Sequence, residues 1–435
     1  MRASAFAEYG SCDTSRVGGA VSGGAVSGSS AIGDFAVRAA RMSTEGFSAR
    51  EDDLDDDGHA SLTFNAKAGL NLPGDAWLGL ALRRATSDVE FDPSFGSGSP
   101  TVATEDRAAA LSLAMPVLGD RADIAAQVGY GEVTRACEPS FGPPDSNGER
   151  RFARLQGNVE ITPTDTLSLG VAHERITGYG TFLSRDSHDI SSVFALRETR
   201  PLDGPTISTG LRQDEHPEFD GNPSGRASAA HAPSDSMTLR GACGAACKAP
   251  TLSQIATGFP NAKPETSRGW EPGADCATPD GRFAAGLTPA QQDLTDEIDF
   301  ASPNDFHTNL DAAGCGGVEA TGDARLSPSF VLTGAYTYLA ARDADTGARA
   351  TAPTRCWPVM VASRSGGCCR PPATTAIPTR RARWRAGCAS TSRRAMSERV
   401  AVNGRLENLL DEGYECNSGY NTEGRSRYVG LRASF

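Results

Sequence analysis

The chain ends on Val429, Leu431, Ala433 and Phe435, with Gly430, Arg432 and Ser434 between them. A repeat of two is the period of a strand with one apolar face. A strand that runs to the last residue needs a partner for its edge. The same alternation recurs upstream behind short turns. Pro73, Gly74 and Asp75 precede Leu78, Leu80 and Leu82; Pro163 to Asp165 precede Leu167, Leu169 and Val171; Ser327 and Pro328 stand before a third run; Val400, Val402 and Leu406 resume the pattern. Pro presets φ, Gly accepts positive φ and Asp bonds its own backbone, so these read as hairpins. The polar stretches between them, 86–107, 134–151 and 256–270, exceed the roughly 4–6 residues that join elements in compact domains. Short turns at one rim and long loops at the other predict an all-β fold, a large antiparallel transmembrane β-barrel. A soluble or secreted β-rich binding protein would alternate too and is the competing reading. The aromatic terminal strand, able to seal a cylinder against its first strand, favours the barrel.

Composition keeps both readings open but removes others. The 435 residues include 48 Gly, are 38% hydrophobic and carry a formal net charge of -12. No run approaches the roughly 18 apolar residues of a membrane helix, whereas barrel strands average to the hydropathy of a polar protein. The acidic balance argues against a nucleic-acid partner, which would need clustered Lys and Arg. No HExxH, GxSxG or GxxxxGK[ST] motif occurs, so no enzyme chemistry has a footing. The 11 cysteines form no CxxC and suggest neither a disulfide framework nor a zinc site. The first residues, "MRASAFAEYGSCDTSRV", lack the apolar core of a signal peptide.

Three long stretches, in order, resemble the TonB-dependent outer-membrane receptors, most closely the vitamin B12 (cobalamin) receptor branch. They are "CKAPTLSQIATGFPNAKPETSRGWEPG" from Cys247 to Gly273, "DLTDEIDF" from Asp293 to Phe300 with the strands after it, and "RLENLLDEGYECNSGYNTEGRSRYVGLRASF" from Arg405 to Phe435. The resemblance implies one barrel domain over 1–435, of about 20–22 strands in that family, with family-like parts at 7–354 and 397–435. It implies an outer-membrane location, contact with outer-membrane lipid, and assembly through the C-terminal strand ending in Phe435. The implied function is capture of a corrinoid or siderophore-type nutrient by extracellular loops and uptake energised by TonB. The family's signal peptide, TonB-engaging segment and N-terminal plug would precede Ala7, so TonB is a partner only where a plug is supplied. A non-functional truncated receptor is the alternative within the same family.

The chain also departs from the family. Cys247 stands where an aromatic is usual. Between Thr346 and Ser397 there is no Asp or Glu, Arg recurs, and four cysteines (Cys356, Cys368, Cys369, Cys388) fall inside. Period two is lost over 355–396, where two or three strands are expected. A shifted reading frame would produce these features together; a basic insertion is the alternative.

The densest acidic cluster, "EDDLDDDGHA" from Glu51 to Ala60, is a solvated loop or a calcium site. Ca²⁺ takes several carboxylate and carbonyl oxygens from flexible loops. By resemblance to the cobalamin receptors, the calcium ligands would be Asp55, Asp57, Asp92 and Asp106. Trp77, Tyr336, Tyr338 and Tyr428 lie near predicted strand ends and read as an interfacial girdle or as ordinary cross-strand packing.

Overall fold

The computed structural model describes residues 1–435 except 28–29, 51–54, 93–98, 139–144, 182, 202–203, 257–262, 302–305, 328–329, 344–354, 357, 366–386, 396–398, 409–410, 412 and 414–419. The first hairpins join β1 (Arg2–Gly10) to β2 (Thr14–Ser27), β3 (Ser30–Thr44) to β4 (His59–Asn71), β5 (Trp77–Glu90) to β6 (Thr101–Val117) and β7 (Ala122–Glu138) to β8 (Ser146–Thr162). Then come β9 (Asp165–Gly180), β10 (Leu183–Thr199), β11 (Thr206–Glu215), β12 (Asn222–Ser234) and β13 (Met237–Lys248). A short helix, α1 (Leu252–Ala256), leads to β14 (Glu265–Ala277), β15 (Phe283–Ala301), β16 (Phe306–Ser327) and β17 (Phe330–Asp343). The last strands are β18 (Arg355–Cys356), β19 (Pro358–Ser365), β20 (Gly387–Ala395), β21 (Val400–Glu407) and β22 (Ser426–Ser434).

All lie in one 22-stranded sheet. β1 pairs with β2 on one side and with β22 on the other, setting Ala7 opposite Leu431 and Tyr9 opposite Val429. The sheet therefore closes on itself. Pairing is antiparallel throughout the described residues except between β19 and β20, which run parallel, within the segment where the sequence loses its period of two.

Register separates two faces. Leu70, Leu78, Leu113, Ala126, Leu155, Val171 and Val193 stand opposite one another in turn across β4 to β10. On the other face, Gly79, Ser112, Gln127, Arg154, Ala172, Ser192, Asp214 and Asn222 make the corresponding row from β5 to β12. In a closed cylinder the apolar row faces outward and the polar row lines the lumen. The outward side chains are not packed against protein: Leu155 and Val171 are each 50% exposed and Val193 57%. A sandwich would bury one face of each sheet, so the soluble two-sheet alternative does not describe this chain.

The turn at Pro73–Asp75 is present, with Gly74 at φ +75° and Asp75 at +57°. Two other expectations need correction. Much of 86–107 and 134–151 is strand, because β5, β6, β7 and β8 continue beyond the apolar band. There, charges pair on both faces: Arg83 with Asp106 at 2.9 Å and Arg84 with Glu105 at 2.8 Å across strands, and Arg107 with Glu105 at 2.7 Å along β6. A strand polar on both faces carries no period-two signal. Trp77 also lies on the lumen side, its ring so close over Gly79 that a Cβ there would be 2.1 Å away. Tyr428 lies on that side too, its hydroxyl donating to Glu423 at 2.8 Å. Tyr336 and Tyr338 share the outward face, opposite Ala320 and Val318.

Candidate functional site

Near the long-loop rim, consecutive strands build a concavity on the lumen wall. Its floor is β9, where Gly170 and Ala172 are small. Arg154, Ala172, Ser192 and Asp214 form one register row, and Gln156, Gly170, Phe194 and Arg212 the next. A Cβ at Gly170 would meet the Phe194 ring at 2.2 Å, so the ring lies flat over that backbone. One pleat toward the rim stand Phe152, Glu174 and Ile190, with His216 just past the end of β11. The cavity these residues enclose measures about 410 Å³, within the range of small-ligand sites.

Most charges here are spent on one another. Arg150 meets Glu174 at 2.5 Å and Arg212 meets Asp214 at 2.8 Å. Ser192, which is buried, donates to Asp214 at 2.5 Å and accepts from Arg212 at 2.6 Å. Arg154 differs. Its guanidinium lies 4.7 Å from the centre of the Phe194 ring and bonds the Gln156 side-chain oxygen. Among the described residues it has no carboxylate partner.

His216 is 9% exposed and its ring is wedged between His188, 4.6 Å away and tilted by 59°, and Phe219 at 4.8 Å. The Glu218 backbone N–H donates to its Nδ1 at 3.1 Å. A neutral imidazole that accepts at Nδ1 carries its proton on Nε2. That Nε2 is buried and has no partner among the described residues, as is the case for Nδ1 of His188. Burial, then the neighbouring His188, lowers the His216 pKa, which keeps the ring neutral at pH 7.

The segment "KAPTLSQIA" arches over this wall. Thr251 and Gln254 form a reciprocal cap at the start of α1, at 2.9 and 3.3 Å, the capping-box arrangement. Pro250 is fully buried, and Leu252 is buried against Gly178 of β9, where a Cβ would be 3.2 Å from it. Lys248 and Glu265 tie the two ends of the arch at 2.8 Å.

The acidic loop is only partly assembled. Asp57 accepts the Ala49 N–H at 2.7 Å and Asp92 accepts the Arg50 N–H at 3.1 Å, so two of the four aspartates converge on adjacent backbone groups. Asp55 is exposed on the same loop. Asp106 lies instead on the lumen wall, paired with Arg83. Glu51 to Leu54 lie outside the described residues. Among the described residues no three His, Cys, Asp or Glu groups converge as a metal-ligand set.

Arg154, His188 and His216 drew no attention in the sequence, because each stands alone in its own strand or loop. Only the register brings them to one wall.

A closed cylinder with an apolar outside and a polar, charged lumen defines a barrel of the outer-membrane type. The chain belongs to the family described as TonB dependent receptor-like, beta-barrel, whose model matches residues 13–392. It is similar to the vitamin B12 transporter BtuB of Photobacterium profundum, at 25% identity over 240 residues, covering 52% of this chain and 38% of that protein. The chain thus spans well under half the length of that curated relative. Among solved structures it is similar in fold to the FrpB iron transporter of Neisseria meningitidis, with a TM-score of 0.77 at 13% identity over 100% of this chain and 81% of that one. A copper transporter, OprC, gives a TM-score of 0.78 at 14% identity over 100% and 80%. The ferric enterobactin receptor PfeA of Pseudomonas aeruginosa gives 0.76 at 15% over the same shares.

Proposed function

We propose that this chain is the barrel of an outer-membrane receptor and transporter, not an enzyme, that takes up a scarce nutrient in a TonB-energised step. The observation that carries the reading is the pair of register rows: an uninterrupted apolar ladder outside, from Leu70 to Val193, and a polar one inside, from Gly79 to Asn222. The ladder would meet outer-membrane lipid, and the strand ending in Phe435 would be the part read by the barrel assembly machinery. TonB would engage through a plug, as in the receptors this chain resembles. Fractionation with outer membranes and a folded form that migrates differently from the heated form on a gel are the expected results. A product found only in the soluble fraction would overturn the reading.

A corrinoid is the favoured substrate, because the similarity to a vitamin B12 transporter is carried by sequence while the iron and copper transporters share only the fold; a siderophore-type chelate is second. Cyanocobalamin uptake by a Gram-negative host lacking its own corrinoid receptor, lost when TonB is deleted, is the test. Calcium is proposed as an ordering ion for the loop, held by Asp55, Asp57 and Asp92. Asp57 and Asp92 each accept a backbone N–H of the neighbouring 49–50 segment, which brings the two carboxylates onto one stretch of chain. Asp106, engaged by Arg83, would not contribute. Isothermal titration with Ca²⁺ should show binding that Asp57→Asn with Asp92→Asn removes; no heat at millimolar Ca²⁺ would sink this.

A further inference from the structure

We propose that a furrow on the outward face, crossing β11 to β14, seats a membrane lipid whose head group carries a phosphate beside a primary ammonium, as phosphoethanolamine does. The inference rests on the outer-membrane reading and adds to it a preferred lipid at a named place.

Register builds the furrow. Ala195 lies two residues beyond outward Val193 and stands opposite Leu211, which fixes the face. Gly225 and Ala227 of β12 pair with Ala245 and Cys243 of β13 and form a floor of small side chains. Leu211, 72% exposed, rises beside Gly225 on one side, and Trp270, 50% exposed, beside Cys243 on the other. Walls and floor bound a mostly apolar cavity of about 650 Å³. A gap in an apolar surface forfeits dispersion contacts, and an acyl chain laid between Leu211 and Trp270 restores them.

The charges at one end select the head group. Arg268, near the start of β14 and hence at the long-loop rim, is exposed and lines the furrow. Among the described residues it makes no hydrogen bond and no ion pair. Its register partner Asp293 has the opposite sign, and such a pair ordinarily closes on itself. Here it does not. The Gln291 side-chain amide donates to Asp293 Oδ1 at 2.8 Å, and a Cβ on Gly314 of β16 would lie 3.5 Å from that oxygen. The carboxylate is thus turned toward β16, away from the guanidinium, and still borders the furrow. At the other end Arg197 is spent on Asp165 at 2.8 Å.

Two opposite charges that are adjacent but not bonded match a head group whose own charges are held apart by two carbons. The guanidinium fork fits a phosphate, and the carboxylate accepts from the ammonium. Cross-strand neighbours have Cβ atoms about 5 Å apart, so one head group spans both without leaving the row. A purely anionic head group would leave Asp293 uncompensated, and a quaternary ammonium has no N–H to give it.

The test uses the full chain in phosphatidylcholine vesicles that contain a minor fraction of one brominated lipid: phosphatidylethanolamine, phosphatidylcholine or phosphatidylglycerol with the same acyl chains. Trp270 reports, as the difference in quenching between the native chain and Trp270→Phe. Brominated phosphatidylethanolamine should act with an apparent affinity about threefold or more above that of either other lipid. Arg268→Gln should abolish the preference, Asp293→Asn should transfer it to phosphatidylglycerol, and Ala245→Phe, which fills the furrow, should abolish it too. Arg84→Gln, an outward arginine of β5 paired with Glu105 at 2.8 Å, should change nothing. Gel mobility before and after heating shows whether each variant is folded. Equal quenching by the three lipids, or a preference that survives in folded Arg268→Gln, would overturn the proposal and leave the outward face in lipid. A second copy of the chain over the furrow would shield Trp270 from all three lipids and release it as protein is diluted with lipid, which would overturn the proposal as well. Absence of quenching at every dilution would strike the membrane reading itself.

Discussion

Ala3 and Phe435 exchange two backbone hydrogen bonds: the Ala3 N–H donates to the Phe435 carbonyl at 3.0 Å and the Phe435 N–H to the Ala3 carbonyl at 2.8 Å. The two ends of the chain thus complete the cylinder, and the terminal residue is part of the ladder. Its side chain is largely exposed, at 68%. Backbone and side chain can therefore be separated by experiment. Deleting Ala433 to Phe435 removes the pairs that face Ala3 and Ala5 and opens an edge on β1; the heat-modifiable band on a gel should be lost. Phe435→Ala keeps the backbone pairs, so the purified chain should still fold in micelles with the same mobility.

The lumen side of the same seam is held by charge. Arg405 of β21 reaches across β22 to Glu8 of β1 at 3.2 Å, also contacts Glu407, and lies 3.8 Å from the centre of the Tyr428 ring. The Glu8 side chain is only 15% exposed, so removing Arg405 leaves a largely hidden carboxylate with only the longer contacts to Asn403 at 3.4 Å and Arg16 at 3.8 Å. Arg405→Met should cost about 1–3 kcal/mol, measured by urea unfolding in micelles. Adding Glu8→Gln should recover part of that loss, and a double-mutant cycle gives the coupling. Purely additive losses would show that the contact does not stabilise the seam.

The apolar half of this fold was legible in the sequence because lipid enforces strict alternation. Val429, Leu431, Ala433 and Phe435 read as one face, and Leu78, Leu80 and Leu82 as another, and so they stand. Legibility ended where water or the lumen replaces lipid on both faces. Thr86 to Glu90 and Thr101 to Arg107 looked like loop because charged and small polar residues mix there without an apolar stripe; across the strands they are joined by Arg84 with Glu105 and Arg83 with Asp106. Trp77 and Tyr428 read either as interfacial or as ordinary cross-strand packing because aromatics near strand ends serve both. Which face they occupy depends on parity counted from a residue already placed. The wall cavity was illegible for a different reason: Arg154, Ser192 and His216 are separated by about twenty or more residues each, and no local motif announces a site assembled by register alone.

Trp270 tests the sidedness directly. It stands opposite Cys243, two strands from Ala227, on the parity of Leu211, and is 50% exposed. It should therefore touch acyl chains, whereas Trp77 over Gly79 should not. In bilayers containing brominated lipid, tryptophan emission should be quenched, and Trp270→Phe should remove a quenched component that Trp77→Phe leaves in place. The reverse result would place the apolar ladder inside the cylinder.

The last prediction concerns pH, through His216 in the loop beyond β11. Burial and the facing His188 disfavour its charged form, against a smaller opposing pull from Glu218, so its folded pKa lies below the roughly 6.5 of an unfolded histidine. Above that value both states are neutral and the group contributes nothing to pH dependence. As pH falls below it, the unfolded loop takes up the proton first. The folded rim then loses stability, and the loss grows until the folded pKa is passed. Protonation at Nδ1 also ends the hydrogen bond from the Glu218 N–H. Lowering the pH from 7.5 to 5 should therefore depress the unfolding midpoint of the native chain more than that of His216→Gln. Taking the difference between the two removes the carboxylates and the other histidines, which titrate in both. An identical pH dependence in the two proteins would mean that this imidazole is not held neutral by its surroundings.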